Sequence, residues 1–290
     1  LILTGGEPFL RQDLDEIVHL FYHNQSRSRQ ITIPTAGQHP DAIEALVERT
    51  LKGCPELILE IQLSIDGVEG DHDGIRGKGQ FANLMQTYNK LKPIQDRNER
   101  LRIRFNFTFS SQSEDHFEST HYFVTQTLHN PHFDMVLIRR SSADPAFFTP
   151  VNMTKYRQAT TLLQTQERKK AKGLLQEALA ERAGVERDII AKHYEQKPTM
   201  LGCQAGTLTM ILSEEGDVRP CEILDTVLGN IRETDYQLTP IWTSPQATQH
   251  RKDIAKSCFC TFETCVRTTM VFQPKWIRRT LIQLAKSKLG

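Results

Sequence analysis

Leu1-Ile2-Leu3-Thr4-Gly5-Gly6-Glu7-Pro8 runs from apolar residues straight into a glycine pair and a proline, the pattern of a strand end breaking into a tight loop. Leu1 to Thr4 reads as the end of a buried strand. Beyond it, Asp13 offers an N-cap with Glu16 three residues on, and Leu14, Ile17, Val18 and Phe21 follow at helical spacing. The same strand–loop–helix order then recurs. Ile31–Ile33 is a short strand stopped by Pro34-Thr35-Ala36-Gly37, and Pro40 opens a helix with Ile43, Leu46, Val47 and Leu51 on one face. Leu57 to Ile65 is a continuous apolar strand ending in Ser64-Ile65-Asp66-Gly67, and Phe81, Leu84, Met85 and Tyr88 mark the next helix. Leu101 to Phe109 reads as a strand, Glu114 to Leu128 as a helix, and Met135 to Ile138 as a strand. Repeated strand–helix units of roughly 30–40 residues imply parallel strands with crossover helices.

In such a sheet, ligands sit beyond the carboxyl ends of the strands. The residues to read for function are therefore Gly5-Gly6-Glu7-Pro8, Thr35-Ala36-Gly37, Ser64-Ile65-Asp66-Gly67, Ser110-Ser111 and Arg139-Arg140. Asn106 and Thr108 alternate along their strand, so both face one side. Taken singly, each of these glycines, prolines and serines could be making only a turn.

The wider composition sets bounds. Among 290 residues, 36 basic and 35 acidic side chains give a net charge of +1, which argues against a general nucleic-acid binder. No apolar run approaches the ~18–20 residues that a transmembrane helix needs. No signal peptide is visible, which fits a cytoplasmic location. From Lys155 to Glu195 strong helix formers dominate, and the basic run Glu167-Arg168-Lys169-Lys170-Ala171-Lys172 reads as a solvated helix face. The segment Pro274 to Lys288 puts Ile277, Leu281 and Leu284 on one helical face, its charges are all basic, and packing of that face against the domain is the expectation.

The six cysteines are unevenly spread. Cys54 stands alone and reads as a small buried residue. Cys203, Cys221, Cys258, Cys260 and Cys265 fall late in the chain. A hairpin through Glu215-Gly216-Asp217 would bring Cys203 and Cys221 toward one end of a ribbon, and the other three arrive on a later loop. Disulfides lack support from any secretory signal. A tetrahedral zinc site and an iron–sulfur cluster both suit four such thiolates, and spacing alone leaves the two open.

Thr4-Gly5-Gly6-Glu7-Pro8 followed by Phe9-Leu10-Arg11-Gln12-Asp13-Leu14 resembles the second-strand motif of radical S-adenosylmethionine (SAM) enzymes. Ser64-Ile65-Asp66-Gly67, with His72-Asp73-Gly74-Ile75-Arg76-Gly77 and Gly79-Gln80-Phe81 beyond it, resembles the fourth-strand region in the branch carrying SPASM or twitch extensions. Cys203 through Gly216 to Cys221, followed by Leu228-Gly229-Asn230-Ile231 and Trp242, is similar to such an extension. The resemblance implies an α/β fold, a partial (β/α)6 TIM-like barrel lacking its first strand, with a small cysteine-rich α+β extension. The implied domains are a radical SAM core at 1–145, a helical connector at 146–200, an iron–sulfur domain at 201–270 and a C-terminal amphipathic helix at 271–290. It implies SAM as cofactor and an auxiliary 4Fe–4S cluster held by four of the five late cysteines: Cys203, Cys221, Cys265 and one of Cys258 and Cys260. It also implies hydrogen abstraction by a 5′-deoxyadenosyl radical, in an oxidoreductase or maturase.

Residue roles follow from the same resemblance. Gly5 and Gly6 would let the backbone approach the methionyl part of SAM, Glu7 would add a carboxylate there, and Pro8 would fix the turn. Ser64, Asp66, Asn106 and Thr108 would meet SAM or substrate, and Arg76 an anionic group or a surface salt bridge. The family's Cys-x3-Cys-x2-Cys loop for the catalytic 4Fe–4S cluster is not in these 290 residues, so that cluster is expected from a segment upstream of Leu1, without which the chain would be inactive. Implied partners are a small-molecule or peptide substrate and a reductant such as flavodoxin or ferredoxin. The alternative from another class is a non-catalytic scaffold or binding protein with a structural zinc or iron–sulfur site.

Overall fold

The computed structural model describes residues 1–24, 29–139, 150–196 and 202–289. Of the segments singled out from the sequence, Arg140, the outer parts of the connector at 146–149 and 197–200, residue 201 and Gly290 lie outside the described residues. The chain forms two compact units: Leu1–Ile138 with Thr149–Asn152, and Arg139–Phe148 with Met153–Gly290.

The first unit alternates strands and helices in the order α1 (Leu14–Asn24), β1 (Gln30–Thr35), α2 (Pro40–Gly53), β2 (Ile58–Ser64), α3 (Gly70–Arg76), α4 (Gln80–Arg97), β3 (Leu101–Phe109), α5 (Phe117–Tyr122) and β4 (Phe133–Leu137). The four strands form one sheet in sequential order, every neighbouring pair parallel. Parallel pairing requires crossovers, and these helices supply them. Ile31, Ile33, Leu59, Ile61, Leu63, Leu101, Ile103 and Phe105 alternate onto one face and are buried with Leu46, Val47, Leu84 and Leu91 of the helices. Toward β4 the core turns aromatic, with Phe107, Phe117 and Phe133 in edge contact.

Three details depart from the sequence reading. Leu1–Leu3 does pair in parallel beside β1, through Leu3 N to Thr32 O and Thr32 N to Leu1 O, but Leu1 and Ile2 are exposed, because this segment has a single neighbour. Asp13 does not cap α1 with its side chain, whose two oxygens are both taken by Arg11 at 2.7 Å. That bidentate guanidinium holds the Asp13 carboxyl below its usual range. The helix after Glu114 is broken into a 3-10 turn, α5 and a π-helical turn at Phe123–Thr127.

The second unit contains α6 (Met153–Lys170), α7 (Leu174–Tyr194), a small antiparallel sheet of β5 (Ile211–Leu212), β6 (Asp217–Arg219) and β7 (Gly229–Asn230), then α8 (Leu238–Trp242), α9 (Pro245–Ser257), α10 (Glu263–Phe272) and α11 (Pro274–Leu289). Val218, Leu228, Ile241 and Ala247 close a small core around the sheet. The basic run at the end of α6 is only partly solvated. Arg168 pairs with Glu181 of α7 at 2.6 Å and Glu167 with Arg187 at 2.5 Å, so charges join the two helices. Glu181 is 1% exposed, and a carboxylate that deep requires such a partner.

Candidate functional site

In the first unit the polar residues expected beyond the strands form two groups, one around Glu7 and one around Asp66, while Ser110 bonds within its own turn to Ser113. Gly5 and Gly6 lie exposed with φ of +109° and +31°, in the left-handed region that side chains disfavour, and a Cβ at either would meet nothing within 4 Å. Backbone conformation is therefore what needs glycine here, and the main chain is left bare. Glu7 is held by protein donors through both oxygens. Its Oε1 accepts from Thr35 Oγ1 at 2.8 Å and Phe9 N at 3.2 Å, and its Oε2 accepts from Ala36 N at 2.8 Å. Both oxygens thus tie the glycine loop to the end of β1. Pro8 is buried at the start of a 3-10 turn.

Asp66 is likewise committed to the protein. It is 3% exposed, its Oδ1 accepts from Thr108 N at 2.8 Å, and its Oδ2 pairs with Arg76 Nε at 2.6 Å. Of the two readings of Arg76, the ion-pair partner found is this buried carboxylate. Asp66 N donates to Nδ1 of His72, which fixes the ring proton on Nε2. Burial, then the Arg76 charge, pushes His72 down to about 4. Asp73 receives Gly79 N and Phe81 N, so it caps the start of α4 from a distance. A Cβ on Gly67 would lie 2.6 Å from His72 N, so only glycine allows this close return of the chain. Thr35, Ala36, His72 and Asp73 stand within motifs of the sequence but were given no individual role there. For His72 and Asp73 the signal lay in the spacing from Ser64 to Phe81, whereas Thr35 and Ala36 find their partner, Glu7, 28 and 29 residues away.

The other face of the sheet is polar. Thr32, Glu60, Gln62, Ser64, Arg104, Asn106 and Thr108 alternate with the apolar core residues, and Ser64 stands beside Asn106 in register. Glu60, 6% exposed, meets Arg104 at 3.4 Å and Thr32 at 3.5 Å. Asn106 Oδ1 is buried and has no hydrogen-bond partner among the described residues. A parallel sheet is ordinarily covered by apolar layers on both faces. A polar face with an unsatisfied buried acceptor suits a cavity that receives a polar ligand.

The second unit gathers the five late cysteines. All six cysteines of the chain are free thiols; Cys203, Cys221 and Cys265 are buried, and Cys258 and Cys260 half-buried. Cys203 is in hydrogen-bond contact with Cys258 and Cys265, Cys221 with Cys265, and Cys258 with Cys260. The sulfurs therefore form one continuous chain. Donation from Cys258 and Cys265 holds Cys203 down at about 3, and donation from Cys265 holds Cys221 at about 6. Cys258 and Cys265, as donors to thiolates, are pushed up, and Cys260 is lowered by Cys258. Backbone N–H groups of Ile223 and Leu224 also favour the Cys221 thiolate. Among the described residues no three His, Cys, Asp or Glu side chains surround one point as a single metal ion requires. Five soft donors, two of them already favoured as thiolates, are nevertheless the donor chemistry an iron–sulfur cluster takes.

Arg139 joins the two cysteine-bearing segments. It pairs with Glu222, next to Cys221, at 3.0 Å and with Glu263, next to the Cys258–Cys260 loop, at 3.1 Å, and its guanidinium lies 4.3 Å from the Phe262 ring centre. His193 Nδ1 meets the Cys260 carbonyl at 2.8 Å. Beside them is a cavity of about 360 Å3 lined by Arg139, His193, Tyr194, Ile223, Phe259 and Cys260.

Comparison with known proteins gives four matches. Residues 203–265 match the SPASM family, described as an iron-sulfur cluster-binding domain. The chain is 23% identical over 265 residues to the AdoMet-dependent heme synthase of Methanosarcina barkeri (strain Fusaro / DSM 804), covering 87% of this chain and 70% of that protein. Its fold resembles that of anSMEcpe with bound AdoMet and the Kp18Cys peptide (TM-score 0.60, 12% identity, 99% of this chain and 82% of that one). It also resembles Streptococcus suis SuiB bound to S-adenosylmethionine (TM-score 0.55, 16% identity, 86% of this chain and 56% of that one).

Proposed function

We propose that the chain is a radical SAM protein with a SPASM iron–sulfur domain, and that it is an enzyme of oxidoreductase or maturase type. In this reading the polar face of the sheet is the interior of a partial (β/α)6 barrel, and SAM lies across the strand ends. The exposed backbone of Gly5 and Gly6 takes the cationic methionyl group. Glu7 and Asp66 act as positioning residues, since their oxygens hold Thr35, Ala36, Thr108 and Arg76. Ser64, Asn106 and Thr108 are left to meet SAM or substrate. The unsatisfied Oδ1 of Asn106 is an acceptor for a ligand hydroxyl or amine.

Four of the five late thiols hold the auxiliary 4Fe–4S cluster: Cys203, Cys221, Cys265 and one of Cys258 and Cys260. The single observation carrying this reading is the mutual contact of those thiols inside the stretch that matches the SPASM family. When bound, SAM and a reduced catalytic cluster supply a 5′-deoxyadenosyl radical that takes a hydrogen atom from substrate, and the auxiliary cluster supplies an electron-transfer centre. The three-cysteine loop for the catalytic cluster is not among these residues, and no step through that cluster is assigned to them. The heme synthase relative and the peptide-bound neighbour support small-molecule and peptide substrates respectively. A flavodoxin- or ferredoxin-like reductant would feed such a site.

Anaerobic purification followed by iron, sulfide and zinc analysis tests the cluster. About four irons and four sulfides per chain are expected, and stoichiometric zinc without iron would overturn the assignment. Release of 5′-deoxyadenosine from SAM by the reduced product of the natural gene, including whatever precedes Leu1, tests the activity.

A further inference from the structure

The helix α11 divides differently from its sequence pattern. The buried side chains are Trp276 at 1% and Leu284 at 7% exposure, with Thr280 half-buried between them, so the packed face runs i, i+4, i+8 through Trp276. Arg279 adds an ion pair to Asp188 of α7 at 2.6 Å. Ile277 and Leu281, expected on the packed face, are instead 45% and 56% exposed, and Ile282 is 45% exposed. Val271 and Phe272 at the end of α10 are exposed as well, at 46% and 63%. With the packed face held by an indole and an ion pair, these residues have no inner surface left to cover.

The charges among them share one sign. Lys275 and Arg278 are exposed, and neither has a carboxylate partner among the described residues; Lys275 only overhangs Trp276. The sequence from Pro274 to Leu289 contains no acidic residue and continues with Lys286 and Lys288. The whole chain is nearly neutral, so this cation excess is local. No described helix is long and apolar enough to cross a membrane.

From this juxtaposition we propose that α11 docks on the surface of a bilayer rich in anionic phospholipid. The exposed face is a convex single helix, not a groove. A strip of Ile277, Leu281 and Ile282 set among unpaired cations needs an occupant that is soft, apolar beneath and negative above. The headgroup–acyl boundary of an anionic bilayer has that chemistry. The proposal is independent of the radical SAM reading, because no residue of either candidate site takes part.

The test is co-sedimentation of the 290-residue chain with vesicles of equal parts phosphatidylglycerol and phosphatidylcholine, and with phosphatidylcholine alone. Binding to the anionic vesicles is expected, about ten-fold or more above the neutral ones, and weakening as salt rises from about 0.05 to 0.5 M. Lys275→Ala with Arg278→Ala should reduce it about 25-fold, since each cation near an anionic surface is worth about five-fold. Ile277→Ser with Leu281→Ser should abolish it at unchanged charge. All four positions are exposed, so the fold is retained, and the salt series on the unaltered chain provides a second readout. Equal binding to both vesicle types, binding to neither, or salt-insensitive binding would overturn the proposal. So would a concentration-dependent dimer that the serine substitutions dissolve, which would make a second copy the occupant.

Discussion

Replacing Arg139 with methionine leaves a buried carboxylate without its counter-charge. Glu263 is 8% exposed, its Oε2 meets Arg139 at 3.1 Å, and its Oε1 has no hydrogen-bond partner among the described residues. Removing one partner of such a buried pair costs about 3–5 kcal/mol, far more than the pair is worth against an apolar replacement. The second pair, to Glu222, is half-exposed, and its share is at most about 1 kcal/mol. Methionine keeps part of the packing on Phe262, so Arg139→Met should destabilise the second unit by about 3–5 kcal/mol. Both tryptophans, Trp242 and Trp276, lie in that unit, so urea titration followed by their fluorescence reads its unfolding selectively. Burial already pushes the Glu263 carboxyl up. Without Arg139 the folded state takes up a proton more readily than the unfolded chain, so the deficit should shrink as pH falls. Adding Glu263→Gln to Arg139→Met should recover most of the loss, because a neutral amide needs no counter-charge. A deficit below about 1 kcal/mol, or a double variant no more stable than Arg139→Met, would refute the reasoning.

Three further outcomes follow from other parts of the structure. Glu7→Gln places an amide where three donors already point, leaving either Thr35 Oγ1 and Phe9 N or Ala36 N unsatisfied; a loss of about 1–3 kcal/mol and weaker SAM binding are expected by calorimetry of the first unit's transition and by equilibrium dialysis. His72 is held at about 4 against 6.5 for the unfolded chain, so the unfolded state binds the proton first as pH falls. Its contribution is whole above pH 6.5 and is lost between 6.5 and 4. Circular dichroism of urea unfolding should show about 2 kcal/mol less stability at pH 5 than at pH 7, and His72→Gln should remove that slope. Cys203→Ala should lower iron per chain to near zero after anaerobic purification, because Cys203 touches two of the other thiols, whereas Cys54→Ala should leave iron unchanged.

Much of the first unit was legible because its signals are local. A parallel strand packed on one face alternates apolar with polar residues, as Leu57–Ile65 does where a continuous apolar strand was expected, and the helix after it shows a 3.6-residue period, so β1 to β4 and α2 and α4 fall where the sequence places them. Helix starts were less legible. Asp13 has the composition of a cap, yet Arg11 two residues earlier offers it a stronger, charge-assisted bond. The candidate residues were found as types, but their protein partners were not. Glu7 and Asp66 looked like carboxylates waiting for a ligand, and the structure gives all four of their oxygens to protein donors. Their partners lie up to 42 residues away, a distance over which spacing carries no signal.

By itself the sequence determined the strand–helix alternation, the glycine loop and the presence of five soft donors late in the chain, since each depends on residue type and short-range order. Only the tertiary structure decided which carboxylates are spent on the scaffold, that Arg139 joins the two cysteine segments, and which face of α11 is covered. Those are questions of which side chain meets which across the fold. A buried charge or indole is settled by the partner that satisfies it, and a helix with two apolar edges cannot tell from its own period which edge will find a neighbour.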